Sequence, residues 1–265
     1  MKDRSRYIWL TDTHLLPWQR YKLLNRILDE KPAGVIITGD ISHAGFLLLG
    51  DLEFLGKRIG RPLYFVLGNH DLWLSSFNEI HQGIRNLCAK YKNLVWMNEA
   101  GIVPLNEETA VIGHDGWYSA DGNVEFLKYT FDWFMIKDFK KLSSMKERIE
   151  KFKELAYQSA QYLSTILETA INQYKTVYLL SHMPPWREAH RAKGWISDAF
   201  YEPYNTNNIL GEKLEKVMAK HKKRRLIVFS GHTHLSQTIY PARNIECRVG
   251  KGSYNRILDE EIIYI

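Results

Sequence analysis

Five short apolar runs, at residues 7–10, 35–37, 63–67, 177–180 and 226–229, are each followed at once by a polar cluster rich in Asp, His or Asn. Near-continuous runs of this length, β-branched and aromatic, are predicted to be strands buried on both faces. Between them the apolar spacing turns helical: Leu24, Ile27 and Leu28 form one stripe, and Leu48, Leu52, Leu55 and Ile59 another. Alternating strand and helix predicts parallel strands, whose C-terminal ends collect along one edge of a sheet. Five polar clusters far apart in sequence are thereby expected to converge.

The middle of the chain follows another pattern. Residues 94–97, 102–105 and 109–112 are short, turn-separated apolar runs that predict antiparallel strands. An aromatic stretch with no clean period covers 117–139. A long helix is expected next, because Ser144 and Glu147 make a capping box and Phe152, Ala156, Ala160, Leu163, Leu167, Ala170 and Tyr174 keep one face apolar. The segment after His182, with Pro184 and Pro185, reads as a loop to about residue 207, and residues 237–240, 246–249 and 261–265 read as further strands. A second sheet packed on the first is therefore expected.

At 265 residues, with 45% hydrophobic and 25% charged positions, the chain has the composition of a globular protein with a full core. One domain over 1–265 is expected, carrying a helical and aromatic insertion at about 116–174. The first apolar run is too short for a secretion signal or a membrane span, so a soluble cytoplasmic protein with no membrane partner is expected. Cys88 and Cys247 form neither a CxxC nor a disulfide pattern and read as packing residues. The net charge of +6 raises the question of nucleic acid. Yet Lys220, Lys222, Lys223, Arg224 and Arg225 fall where a helix C-terminus favours cations, and the lysines between 137 and 153 alternate with acids as on a solvated helix. A nucleic-acid partner is left open but not favoured.

The polar clusters are Asp12-Thr13-His14, Gly39-Asp40, Gly68-Asn69-His70-Asp71, Ser181-His182 and Gly231-His232-Thr233-His234. Carboxylate oxygen, imidazole nitrogen and amide oxygen suit intermediate divalent ions such as Mn, Fe or Zn. In extended or turn backbone, the D-x-H and H-x-H spacings point both side chains the same way. Each cluster alone would pass for an ordinary polar loop. Together they hold five of the ten histidines, each at a predicted strand end, which chance would scatter. His43 and the pair His114-Asp115 are further candidates to enter the pocket. Trp117 and Tyr118 read as core residues, with substrate stacking as the alternative.

The ordered set D-x-H, GD, GNHD, a His before prolines and GHTH, covering about residues 7–235, resembles the calcineurin-like metallophosphoesterase superfamily. The resemblance implies an α/β fold, a four-layer αββα sandwich of two mixed β-sheets flanked by helices, with two divalent ions at the strand C-terminal ends. It implies that Asp12, His14 and His234 hold one ion, that Asp40 bridges, and that Asn69, His182 and His232 hold the other. His70 would face the leaving group, with Asp71 orienting it. Two ions about 3.5–4 Å apart bring a bridging water to near-neutral acidity and clamp the attacking and leaving oxygens.

A small-molecule phosphoester is the expected substrate. A phosphodiester is favoured over a monoester because Gly39-Asp40 continues as Ile41-Ser42-His43, without the arginine that phosphoprotein phosphatases of the superfamily carry. The GNHD motif and the His-Pro loop are similar instead to its cyclic-nucleotide phosphodiesterase branch. The alternatives are a phosphomonoesterase, a nuclease of the same superfamily, or a non-catalytic interaction protein, against which stands the complete ligand set. The stretch 117–139 and the loop bearing Trp186, Arg187 and Arg191 are expected to wall the pocket.

Overall fold

The computed structural model describes residues 5–122, 124–190, 203–252 and 261–265. Strands β1 (Arg6–Leu10), β2 (Gly34–Thr38), β3 (Leu63–Val66) and β4 (Leu94–Trp96) run parallel in one sheet. Strand β11 (Glu261–Tyr264) closes its edge antiparallel to β1. The second sheet has the order β5-β6-β7-β8-β10-β9. In it β6 (Thr109–Gly113), β7 (Thr176–Leu180), β8 (Arg225–Ser230) and β10 (Ile245–Val249) are parallel. The edges, β5 (Val103–Pro104) and β9 (Gln237–Ala242), are antiparallel.

Period-two alternation along each central strand divides its side chains between two cores. Ile8, Leu10, Val35, Ile37, Leu63 and Phe65 face outward onto helices α1 (Arg20–Asp29), α2 (Gly45–Ile59) and α3 (Phe77–Lys90). Val177, Leu179, Leu226 and Val228 face α7 (Met145–Gln173) and α8 (Asn208–Met218). The residues between, including Tyr7, Trp9, Ile36, Val66, Val111, Tyr178 and Phe229, meet in a third core between the sheets, where Trp9 stacks on Phe229 at 4.3 Å. Both faces of these strands are covered, which is why they read as continuous apolar runs. Each fully buried side chain of this kind contributes about 1.5–3 kcal/mol.

The capping box at Ser144 and Glu147 is formed at the start of the 29-residue α7, which crosses from β6 to β7. Before it lie three short helices, α4 (Met97–Ala100), α5 (Asp132–Met135) and α6 (Lys137–Lys140). Of the three middle strands expected to be antiparallel, β5 and β6 pair that way with each other, β6 has a parallel neighbour on its other side, and β4 is parallel. Strand β4 joins β3 in parallel because α3 supplies the crossover, and β6 joins β7 in parallel because α7 does. Cys247 is buried and Cys88 half-buried, and both are free thiols.

Candidate active site

The five polar clusters meet where β1, β2, β3, β7 and β8 end. Their backbone is strained there: of the eight described non-glycine residues with positive φ, five are Asp12, His14, Asp40, His232 and His234. Left-handed backbone at an Asp or His persists only where surrounding structure imposes it, and it turns these side chains abruptly off their strands. Close approach of the loops also needs glycine at two places. A Cβ on Gly68 would overlap Asp40 Oδ1, and one on Gly231 would overlap the Asp12 carboxylate.

Donor atoms of Asp12, His14, Asp40 and His234 all lie within 4.8 Å of one another. His14 Nε2 stands 3.2 Å from His234 Nε2, and His234 Nε2 stands 3.3 Å from Asp12 Oδ1. Two donors bound at about 2.1 Å to one ion are themselves about 3.0–3.4 Å apart, so these spacings suit a shared ion. A second group adjoins the first: His232 Nδ1 is 3.2 Å from Asn69 Oδ1. Asp40 Oδ2 lies between the groups, 3.7 Å from His14 Nε2 and 3.5 Å from His182 Nε2.

Hydrogen bonds on the far side of each ring orient the second group. His182 Nδ1 lies 2.8 Å from the Thr38 carbonyl, and His232 Nε2 lies 3.0 Å from the Tyr204 carbonyl. A carbonyl only accepts, so each of those nitrogens carries a proton and the other ring nitrogen faces the cluster, where it offers a lone pair once it is itself unprotonated. The Asn69 amide nitrogen donates to Asp132 Oδ1 at 3.0 Å and to Tyr204 Oη at 3.2 Å, which turns Oδ1 inward. A buried set of lone pairs aimed at a common point fits a pair of divalent ions.

The profile of the calcineurin-like phosphoesterases matches residues 5–236. The chain belongs to that family. It is therefore a metal-dependent hydrolase of phosphoester bonds, in a family built on a dinuclear divalent centre. Among solved structures it is similar to phosphopantetheinyl hydrolase of Mycobacterium tuberculosis, at 13% identity over 96% of this chain and 92% of that one, with TM-score 0.63. A dimetal phosphatase of Danio rerio gives 14% identity, 95% and 88% coverage, and TM-score 0.58. Protein TT1561 of Thermus thermophilus gives 12%, 94% and 90%, and 0.57. At these identities the likeness is one of fold. No curated protein matches the chain in sequence.

In this phosphoesterase the charges of the site compensate one another. Burial alone would raise Asp12 and Asp40. The hydrogen bond from His234 and the charge of His182 outweigh it at Asp12, and the charges of His182 and His70 do so at Asp40, so both carboxyls stay below their usual range. Burial would lower His182, but Asp40 and Asp12 overcome that and lift it to about 10. Burial drives His14 down to about 4 and, aided by the charge on His182, His232 down to about 3. Without metal, then, His182 carries the proton that offsets the aspartates. An ion using His182 Nε2 must expel that proton, so affinity is expected to rise about tenfold per pH unit between neutrality and about pH 10. Calorimetric titration of Mn into metal-free protein, in buffers of different ionisation enthalpy, should show about one proton released per chain, from His182 as its ion binds. A pH-independent affinity across that window would contradict the charge on His182.

Several supporting residues escaped the sequence patterns. The Asp132 carboxylate accepts from Asn69, from Trp73 Nε1 at 2.7 Å and from Tyr118 Oη at 3.3 Å. The Trp73 ring in turn stacks on His70 at 3.5 Å. Asp132→Ala frees the Asn69 amide to rotate, with an expected loss of about 10–100-fold in affinity for one ion of the two. Isothermal titration against the parent protein should show one ion weakened and the other unchanged; equal weakening of both would argue against this role.

Asp71 does not orient His70 as expected. Its carboxylate accepts from the backbone amides of Ile41, Ser42 and Gly68 at 2.9–3.1 Å, locking the Asp40 loop to the Gly68 turn. The two residues sit on a 3₁₀ turn, His70–Leu72, where neighbouring side chains diverge by about 120°.

Trp186 is also misplaced by the sequence reading. It packs in the second core with its Nε1 donating to Glu215 on α8. Arg187 begins a 3₁₀ turn beside β9 and β10, and Arg191 lies outside the described residues. Among the described residues beyond His182, Tyr204 walls the site, against Asn69 and His232. From the aromatic stretch, Tyr118 and Asp132 reach it, while Trp117 is buried in the core. His43 also arrives, with a ring nitrogen within 4.8 Å of those on His14 and His70. His114 and Asp115 stand behind the ligand loops, where the Asp115 carboxylate holds Leu67 N at 2.6 Å and Asn98 Nδ2 at 2.7 Å.

Proposed function

We propose that the protein hydrolyses a small phosphodiester, with Asp12, His14 and His234 holding one ion, Asn69, His182 and His232 holding the other, and Asp40 bridging them. The observation that carries the assignment is Asp40 Oδ2, set between His14 and His182 at 3.7 and 3.5 Å. When bound, the two ions supply an acidic water for attack at neutral pH and offset charge on the phosphoryl oxygens. His70 stands beside Asp40, with its backbone amide on Asp40 Oδ1 at 2.9 Å, and gives a proton to the departing oxygen. Trp73 restricts that imidazole to one plane, and Asp132 holds both Trp73 and Asn69, so acid and ligand share one support.

What supports a diester is the run Gly39-Asp40-Ile41-Ser42-His43, which lacks the arginine carried there by phosphoprotein phosphatases. The charges named above at Asp12, Asp40 and His182 support it too, since among the described residues they are those of histidines and aspartates. A monoester dianion is ordinarily held by the bidentate fork of arginine, whereas a diester monoanion needs no such clamp. With Mn and at one pH, kcat/KM for bis(p-nitrophenyl) phosphate is expected to exceed that for p-nitrophenyl phosphate. A tenfold preference for the monoester, about 1.4 kcal/mol of transition-state binding, would reverse the substrate reading and leave the ligand assignment intact.

A further inference from the structure

Apolar side chains that a water-facing enzyme would bury stand in the open on the His70 side of the site. Trp18 is 76% exposed, Phe46 65%, Leu74 44%, Tyr129 71%, Phe131 67% and Phe134 53%. Backbone contacts tie most of them into one rim. Gly45 N donates to Trp73 O at 2.8 Å, which sets Phe46 beside Trp73, and Leu74 N donates to Met135 O at 2.8 Å, which sets Leu74 beside Phe134. The rings of Trp73 and Phe131 are 6.1 Å apart. Trp18 lies in the turn Pro17–Gln19, just past Leu15, which bridges to Ser42 near the start of α2.

The rim is built rather than left over. From Tyr129 to Phe134 the chain turns three aromatics outward while Thr130, Asp132 and Trp133 are buried. Leu74 holds a positive φ of 63° and remains 44% exposed, a backbone conformation that costs energy in a residue with a Cβ and sets this side chain toward the open face. The rim is continuous with the catalytic centre, because Trp73 stacks on His70. Whatever rests on it therefore belongs with the leaving group. Two exposed cations flank it: α6 begins beside Leu74, through Lys137 N to Ser75 O at 3.0 Å, and Lys140 at its end and Lys141 just past it stand exposed, whereas Lys137 pairs with Glu79 at 2.9 Å and Lys128 pairs with Glu125.

Exposed Trp, Tyr, Phe and Leu beside lysines form the surface that seats at the boundary of an anionic lipid layer. We propose that this rim docks on an anionic lipid surface and takes the hydrocarbon part of an amphiphilic phosphoester whose phosphate reaches the metal ligands. The substrate half rests on the hydrolase site assigned above; the docking half does not. No helix of the described residues is long and apolar enough to cross a membrane.

The test compares the metal-loaded full chain with Phe46→Ser/Phe134→Ser, two positions outside the catalytic machinery. Cosedimentation with phosphatidylcholine–phosphatidylglycerol vesicles is expected for the parent protein and should weaken about tenfold or more in the variant. Both proteins should hydrolyse bis(p-nitrophenyl) phosphate equally. Octyl p-nitrophenyl phosphate should be preferred over the ethyl ester about tenfold by the parent protein alone. A parent protein that ignores vesicles overturns the inference. So does one whose rim is covered by a second copy, seen as a dimer in sedimentation velocity that the same substitutions dissolve. A protein that binds vesicles through the rim but hydrolyses none of these esters would overturn the site assignment and leave the docking surface standing.

Discussion

Asp40→Asn is expected to release both ions and to lower phosphodiester hydrolysis by about 10³-fold or more. Two divalent ions about 3.7 Å apart repel each other by roughly 18 kcal/mol even at an effective dielectric of about 20, so a shared anion between them decides whether both can stay. Asp40 holds that position, with Oδ2 between His14 and His182. Oδ1 is already committed to the amide of His70. An asparagine that keeps this hydrogen bond must point its NH₂ at the ions. Elemental analysis of the purified variant should therefore find less than one ion per chain, while circular dichroism shows the fold retained. Loss of one ion with the other still tightly held would remove the bridge from Asp40.

His70→Ala is expected to keep the metal and lose about 10²–10⁴ in rate on alkyl esters. The ring lies against Trp73 at 3.5 Å and edge-on to His14 at 4.6 Å, and it stands outside the Asp12, His14, Asp40 and His234 group. An alkoxide leaves poorly without a proton, whereas nitrophenolate leaves unaided, so the loss should be much smaller on nitrophenyl esters. Trp73→Ala should reproduce part of the loss on alkyl esters, because the imidazole is then free to rotate out of line. An equal loss on both ester types, or a fall in metal content, would assign His70 to the metal instead of the leaving group.

Much of this molecule is written locally in the chain. Apolar runs covered on both faces, helical stripes between them and a capping box at Ser144 are short-range patterns, and they appear in the structure as β1, β2, β3, β7, β8 and α7. The convergence of the polar clusters was legible for the same reason, since parallel strands bring their C-terminal ends together. Strand direction in the middle of the chain was legible only in part: the short, turn-separated runs predicted the antiparallel β5–β6 pair, but the crossovers through α3 and α7 place β4 beside β3 and β6 beside β7 in parallel. Asp132 and Tyr204 hold the Asn69 amide from 63 and 135 residues away, and neither lies in a motif. Their roles are defined by contact, and contact at that separation is decided by packing. Trp186 shows the converse, an aromatic next to a motif that serves the core of α8. Sequence proximity likewise misled at Asp71, where the 3₁₀ turn sends neighbouring side chains apart. The residue types and their strand-end positions were thus set by the sequence alone, while the outer contacts that aim each lone pair, and the aromatic rim beyond them, exist only in the folded chain.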